Sequence, residues 1–190
     1  MKYYSIATGD SSAEISLLEG NSGLKFVYYN QGDAAWKSIP YSTSTIGQSG
    51  CGPTSMAICI STLSGKKITP RQTCQWAGSQ GYYVKGAGSK HDVIPGLAKK
   101  YGVKCKGVGK NKPQIIQALK TGKLVVAIMS AGHFTSGGHF IVLTGIKDGK
   151  ITVADCGSRQ RTKQTWSLDL IVDESNSSAS AGGPFWIISK

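Results

Sequence analysis

Four consecutive apolar side chains, Phe140-Ile141-Val142-Leu143, constrain the fold of this chain more than any other feature. Successive residues of a strand point to opposite faces, so this one has no polar face and must be covered on both sides, inside a sheet. Other runs of strand length and strand composition are Leu124–Met129 and residues 151–154 and 185–188. Between them, Lys147-Asp148-Gly149-Lys150 is a turn sequence that predicts a hairpin of residues 138–146 with residues 150–155.

Upstream, the period of the apolar residues changes. Cys51-Gly52-Pro53-Thr54-Ser55 opens a run with Met56, Cys59, Ile60 and Leu63 at helical spacing, and Gly65 supplies the stop. Thr69-Pro70 reads as an N-cap with proline at the first helical position, and Ser89-x-x-Asp92 resembles a capping box before residues 93–100. Asn111 with Pro113 opens another helix, which runs through Leu119 and ends at Gly122. Residues 1–30 alternate loosely, with Leu24, Phe26 and Tyr28 on one side of a strand and glycine-marked turns near Gly9 and at residues 20–23. The expected organisation is a strand-bearing arm, residues 1–28, followed by one α+β domain, residues 29–190, with helices first and antiparallel strands later.

A chain of 190 residues can bury one substantial core. Its apolar runs fall well short of the roughly 20 residues that cross a bilayer, and no apolar core of a secretion signal follows Met1-Lys2, so no membrane span is expected. Charge narrows the partners. Lys plus Arg number 22 against 10 acids, for a net +12, and between Asp33 and Asp148 there are 15 basic residues and one acid, Asp92. A field of that sign gathers polyanions such as anionic wall polymers. No basic helix, zinc-finger spacing or aromatic-basic pattern accompanies it, so nucleic acid is not the expected partner. The histidines and acids lack ligand spacing and Gly86-Ala87-Gly88 lacks a phosphate-loop context, so neither metal nor cofactor is expected. The chain is read as a monomer.

The chemistry points to the thiols. Five cysteines cannot all pair within one chain, and none makes a C-x-x-C motif. Cys51 sits at the start of its helix, where orphan N–H groups and the positive dipole end favour a thiolate, flanked by Gly50 and Gly52 that leave room for a substrate carbonyl. Cys59 falls on the apolar face of the same helix, and Cys74 and Cys105 are expected to be packing residues. Of three imidazoles, His139 begins the buried strand after Gly137-Gly138, which makes it the natural base; His91 reads as a surface residue and His133 as a loop residue.

An acceptor must hold the second nitrogen of that imidazole, and Asp155 on the neighbouring strand is the candidate. A two-residue Asp148-Gly149 turn would set His139 opposite Ser158 and put Asp155 on the other face. A three-residue turn sets His139 opposite Gly157 and Ile141 opposite Asp155, so His139 and Asp155 share a face as diagonal neighbours; the three-residue turn is therefore expected. For an oxyanion donor, spacing leaves both Gln31 and Gln48 open.

Taken together, Gln31-Gly32-Asp33 with Trp36 and Tyr41, Gly50-Cys51-Gly52-Pro53-Thr54-Ser55-Met56-Ala57, Thr69-Pro70, Gly138-His139-Phe140-Ile141-Val142-Leu143 and Ile151-Thr152-Val153-Ala154-Asp155 resemble the bacterial C39-like cysteine peptidases of the papain-like superfamily. The resemblance spans about residues 29–156. It implies a papain-like fold with Cys51 as nucleophile, His139 as base, Asp155 as its orienting partner and Gln31 as the oxyanion glutamine. It also implies a peptide substrate. With the basic stretch, the reading is hydrolysis of peptidoglycan peptide bonds at the cell wall, by a domain of a larger or phage-borne protein. The alternatives are leader-peptide processing, acyl transfer to an amine, or a non-catalytic polyanion binder. Two departures stand out: Asp155-Cys156 replaces the usual Asp-Pro, and Thr45 stands six residues before Cys51, where many papain-like enzymes carry the glutamine.

Overall fold

A computed structural model describes residues 16–19 and 25–190 of the chain. Leu24 and the turns expected near Gly9 and residues 20–23 lie outside the described residues. An antiparallel pair, β1 (Ser16–Glu19) and β2 (Lys25–Tyr28), is followed by the short pair β3 (Pro40–Tyr41) and β4 (Ser44–Thr45). Helix α1 (Ile46–Ser49) leads through Gly50 into α2 (Cys51–Ser64), then α3 (Pro70–Ser79), the pair β5 (Tyr83–Val84) and β6 (Gly88–Ser89), α4 (Val93–Tyr101), β7 (Lys104–Gly107) and α5 (Lys112–Lys120). The rest comprises β8 (Leu124–Met129), β9 (His139–Lys147), β10 (Lys150–Ala154), α6 (Arg159–Thr162), β11 (Thr165–Trp166), α7 (Leu168–Asp173) and β12 (Phe185–Ser189).

Six strands form one antiparallel sheet in the order β11-β10-β9-β8-β12-β7. As its apolar run requires, β9 lies inside this sheet. Phe140 and Val142 join Val126, Ile128 and Trp186 against α2 and α4, while Ile141 and Leu143 join Val125, Ala127 and Phe185 against α5 and α7. Each fully buried aliphatic or phenyl side chain of these layers contributes roughly 1.5–3 kcal/mol. The expected α+β fold of helices packed on an antiparallel sheet holds, and the structure adds two details to it. β7 comes from between two helices to fill the sheet edge, and α5 and α7 cover the second face, because a strand apolar on both sides needs two helical layers.

Helix α2 is buried nearly all round, which makes it the central helix of the layer that carries it. Thr69 and Gln72 form a capping box at α3, and the Asn111 side chain caps α5 by accepting from the Gln114 N–H. Ser89 does not cap α4. Its hydroxyl is buried and shares a 2.6 Å hydrogen bond with the Tyr41 hydroxyl, so α4 begins at Asp92 without a side-chain cap.

The hairpin turn also differs from expectation. Lys150 pairs with Lys147 across a two-residue turn, with Asp148 at φ 49° and Gly149 at φ 74°. Positive φ at both central residues is the turn whose twist matches the strands. The shift that the three-residue turn was to supply comes instead from a β-bulge. Thr152 pairs with Gly145 but Val153 pairs with Leu143, which leaves Thr144 as the extra residue on β9. Thr144 is fully buried, and its hydroxyl meets that of Thr152 at 3.0 Å. Beyond the bulge the pairing of β9 with β10 is the one that brings His139 and Asp155 to a common face.

Candidate active site

Cys51 is the first residue of α2. A Cβ on Gly50 would lie 2.7 Å from the Ile46 carbonyl oxygen, so close packing requires that glycine, while one on Gly52 would lie 3.2 Å from the Phe140 ring and press on it. His139 is the first residue of β9, and Asp155 follows β10 immediately.

The three meet. His139 Nε2 and Asp155 Oδ1 are 2.7 Å apart, which leaves Nδ1 of the ring available to the Cys51 thiol. Asp155 is fully buried and its acceptors are well used: Oδ1 also accepts from the Gly157 N–H at 2.8 Å, and Oδ2 accepts from Arg161 Nε at 2.5 Å. The Tyr28 hydroxyl donates to the Asp155 carbonyl at 2.8 Å, so β2 braces the site from the opposite side.

Electrostatics follow from these contacts. Burial would push the Cys51 thiol up, but the hydrogen bond and charge of His139, with backbone N–H groups of Phe140 and Gly52, bring it below its ordinary value. Burial likewise opposes charge on His139, yet hydrogen bonds to Asp155 and Cys51 push the imidazole up to about 9. Burial would raise Asp155, and His139 and Arg161 hold it below the usual carboxylate range. The other thiols go the opposite way: burial raises Cys59, Cys74 and Cys156, and pushes Cys105 up to about 11. All five cysteines are free.

Gln31 and Gln48, equally open from spacing, are separated by the fold. Gln48 is exposed and accepts from the Ser44 hydroxyl. Gln31 lines a cleft of ≈ 290 Å³ together with His139, Gly157, Thr135, Phe134 and Arg161. Its amide is held at both ends, with Nε2 donating to the Gly47 carbonyl at 2.9 Å and Oε1 accepting from the Cys156 thiol at 3.4 Å. Cys156, where the resemblance leads one to expect proline, is thus a buried donor behind the site. The Gln31 N–H also donates to the Cys156 carbonyl at 2.8 Å.

The remaining histidines lie elsewhere. His91, expected at the surface, is half-buried beside Phe140 and Trp186 and accepts from the Ser180 N–H at 3.0 Å. His133 is exposed and pairs with Glu174. Among the described residues no cluster of His, Cys, Asp and Glu is arranged to hold a metal ion, and no helix is long and apolar enough to cross a membrane. Arg161 was not singled out from the sequence. Its only local signal is Ser158, whose hydroxyl caps α6 and so turns the chain back toward Asp155.

No protein with curated annotation matches the sequence. Among the solved structures that share the fold are two peptidases. One is a protein described as a C39-like peptidase from Bacillus anthracis, 16% identical, with a TM-score of 0.55 over 94% of this chain and 98% of that one. The other is the peptidase domain of Streptococcus ComA, a bifunctional ABC transporter involved in quorum sensing, 13% identical, with a TM-score of 0.53 over 74% of this chain and 91% of that one. Residues 23–180 match the Peptidase_C39 like family, so the chain belongs to that family and is a cysteine peptidase of α+β, papain-like fold.

Proposed function

We propose that the chain hydrolyses peptide bonds through Cys51, His139, Asp155 and Gln31, and that its substrate is the peptide part of bacterial peptidoglycan. The observation that carries the catalytic reading is the imidazole of His139, held at Nε2 by a buried carboxylate 2.7 Å away and coupled electrostatically to the Cys51 thiol, which it draws below its ordinary value. The Cys51 thiol proton passes to His139, and the thiolate attacks the amide carbonyl carbon. The oxyanion that forms accepts from the second N–H of Gln31 Nε2 and from the Cys51 backbone N–H at the start of α2. On collapse the C–N bond breaks and His139 returns the proton to the leaving amine. Water, deprotonated by His139, then attacks the thioester, and the acid leaves as the thiol is restored. Asp155 keeps the ring oriented and its cation stabilised throughout.

The excess of 15 basic residues over one acid between Asp33 and Asp148 supports an anionic, wall-bound substrate. Purified sacculi incubated with the protein and with Cys51→Ala, their soluble products read by mass spectrometry, test the reading. New peptide ends with the unmodified protein alone are expected, and their position identifies the bond. Identical products from both would refute the wall substrate.

A further inference from the structure

The cleft beside His139 has a cation in its wall that the hydrolytic steps leave unused. Arg161 is fixed from three directions. Its N–H donates to the Ser158 hydroxyl at 3.1 Å, its carbonyl accepts from Trp166 Nε1 at 3.2 Å, and its Nε donates to Asp155 Oδ2 at 2.5 Å. A guanidinium has five N–H donors in a rigid fork, and only the one on Nε is spent. Among the described residues nothing accepts a hydrogen bond from its two terminal nitrogens, and the side chain is 28% exposed where it lines the cleft.

The pair it forms with Asp155 is also one-sided. The carboxylate is fully buried and faces away from solvent, so the cleft meets the guanidinium end of the pair. Among the described residues no acidic side chain lines this cleft, and the other titratable group they place in its wall, His139, is held toward its cationic form. A fixed, planar guanidinium with four of its five donors unspent is the arrangement that takes a carboxylate bidentately.

We propose that Arg161 binds a carboxylate on the substrate residue next to the scissile bond, so that the substrate is an acidic peptide. This rests on the reading of Cys51 as nucleophile. Through Nε, Arg161 is a positioning residue for Asp155; through its terminal nitrogens it determines specificity.

Two matched electrophiles separate these roles without a known substrate: N-iodoacetyl-glutamate α-amide and N-iodoacetyl-glutamine α-amide. In each, the Cys51 thiolate forms a bond to carbon as iodide leaves, and only the side-chain carboxylate differs. Second-order rates of Cys51 modification are measured by peptide mass spectrometry, with free cysteine as reference. The acid-to-amide rate ratio is expected to be about tenfold higher in the unmodified protein than in Arg161→Gln, with Arg161→Lys between them, as a charge-assisted bond implies. Loss of Asp155 support slows both reagents alike and cancels in the ratio. Equal ratios in the unmodified protein and Arg161→Gln, with Cys51 still alkylated, would overturn the carboxylate site alone. Absence of selective Cys51 alkylation in the unmodified protein would overturn the nucleophile reading, and this inference with it. Should Arg161→Gln fail to fold, protection of Cys51 in the unmodified protein by N-acetyl-glutamate α-amide against N-acetyl-glutamine α-amide decides: equal protection refutes the proposal.

Discussion

Replacing Asp155 with asparagine keeps the shape of the side chain but defeats its hydrogen bonding on one side or the other. The carboxylate accepts on both oxygens, from His139 and the Gly157 N–H on Oδ1 and from Arg161 on Oδ2. Asparagine has one oxygen, so its NH2 must face either His139 or the Arg161 guanidinium, donor against donor. His139 is held at about 9 against an ordinary 6.5, which favours the imidazolium by about 3 kcal/mol in all. Asp155 and Cys51 share that effect. If the carboxylate supplies half of it, its loss costs about 1 to 2 kcal/mol of ion-pair stability, on the order of tenfold in the thiolate available at mildly acid pH. Iodoacetamide alkylation of Cys51 followed from pH 5 to pH 9 is the assay, with circular dichroism confirming the fold. Asp155→Asn is expected to alkylate about tenfold more slowly at the acid end and to converge with the unmodified protein as the pH approaches that of an ordinary thiol. A folded variant with an unchanged pH profile would refute the claim that Asp155 holds the imidazolium.

Other outcomes follow from the same geometry. Peptide hydrolysis is expected to persist from neutral pH and fall as pH rises through about 9, where the raised His139 loses the proton that the leaving amine needs; a descending limb near 6.5 would contradict the raised imidazole. Asp155 is depressed when folded, so its contribution to stability is present above the ordinary carboxyl value of 3.8 and lost as pH falls through its folded value, which urea titrations of the unmodified protein and Asp155→Asn will separate. A Cβ at Gly157 would stand 3.1 Å from His139 Cε1 and 3.2 Å from Nε2, so Gly157→Ala is expected to displace the ring and lower the alkylation rate several-fold while the melting temperature changes little. Retention on sacculi should drop between low and high salt if the net charge of +12 provides the attachment, and unchanged retention would remove that argument.

Much of the site is local and so legible in the chain itself. A thiol between two glycines before an apolar helical run places Cys51 at a helix start whatever surrounds it, because capping and periodicity act over one or two turns. The run Phe140-Ile141-Val142-Leu143 determines that its strand is interior, and with it that His139 begins a rigid, two-sided element. Register was not legible. A one-residue slip sends every side chain to the opposite face, and the slip here depends on whether Thr144 bulges, which local turn chemistry does not encode. The right facing of His139 and Asp155 was anticipated for the wrong reason, a longer turn in place of a bulge.

What the sequence by itself determined is the place of Cys51 at a helix start, the place of His139 at the head of an interior strand and the class of fold, since each rests on short-range pattern. Only the tertiary structure brought Gln31 to the cleft and left Gln48 exposed, buried Cys156 behind the Gln31 amide, and set Arg161 against Asp155 with its fork open to the cleft. Those contacts join residues of separate elements, and their geometry is fixed by how the loops around α1 and α6 pack onto the sheet, a property of the whole core that no single stretch of chain contains.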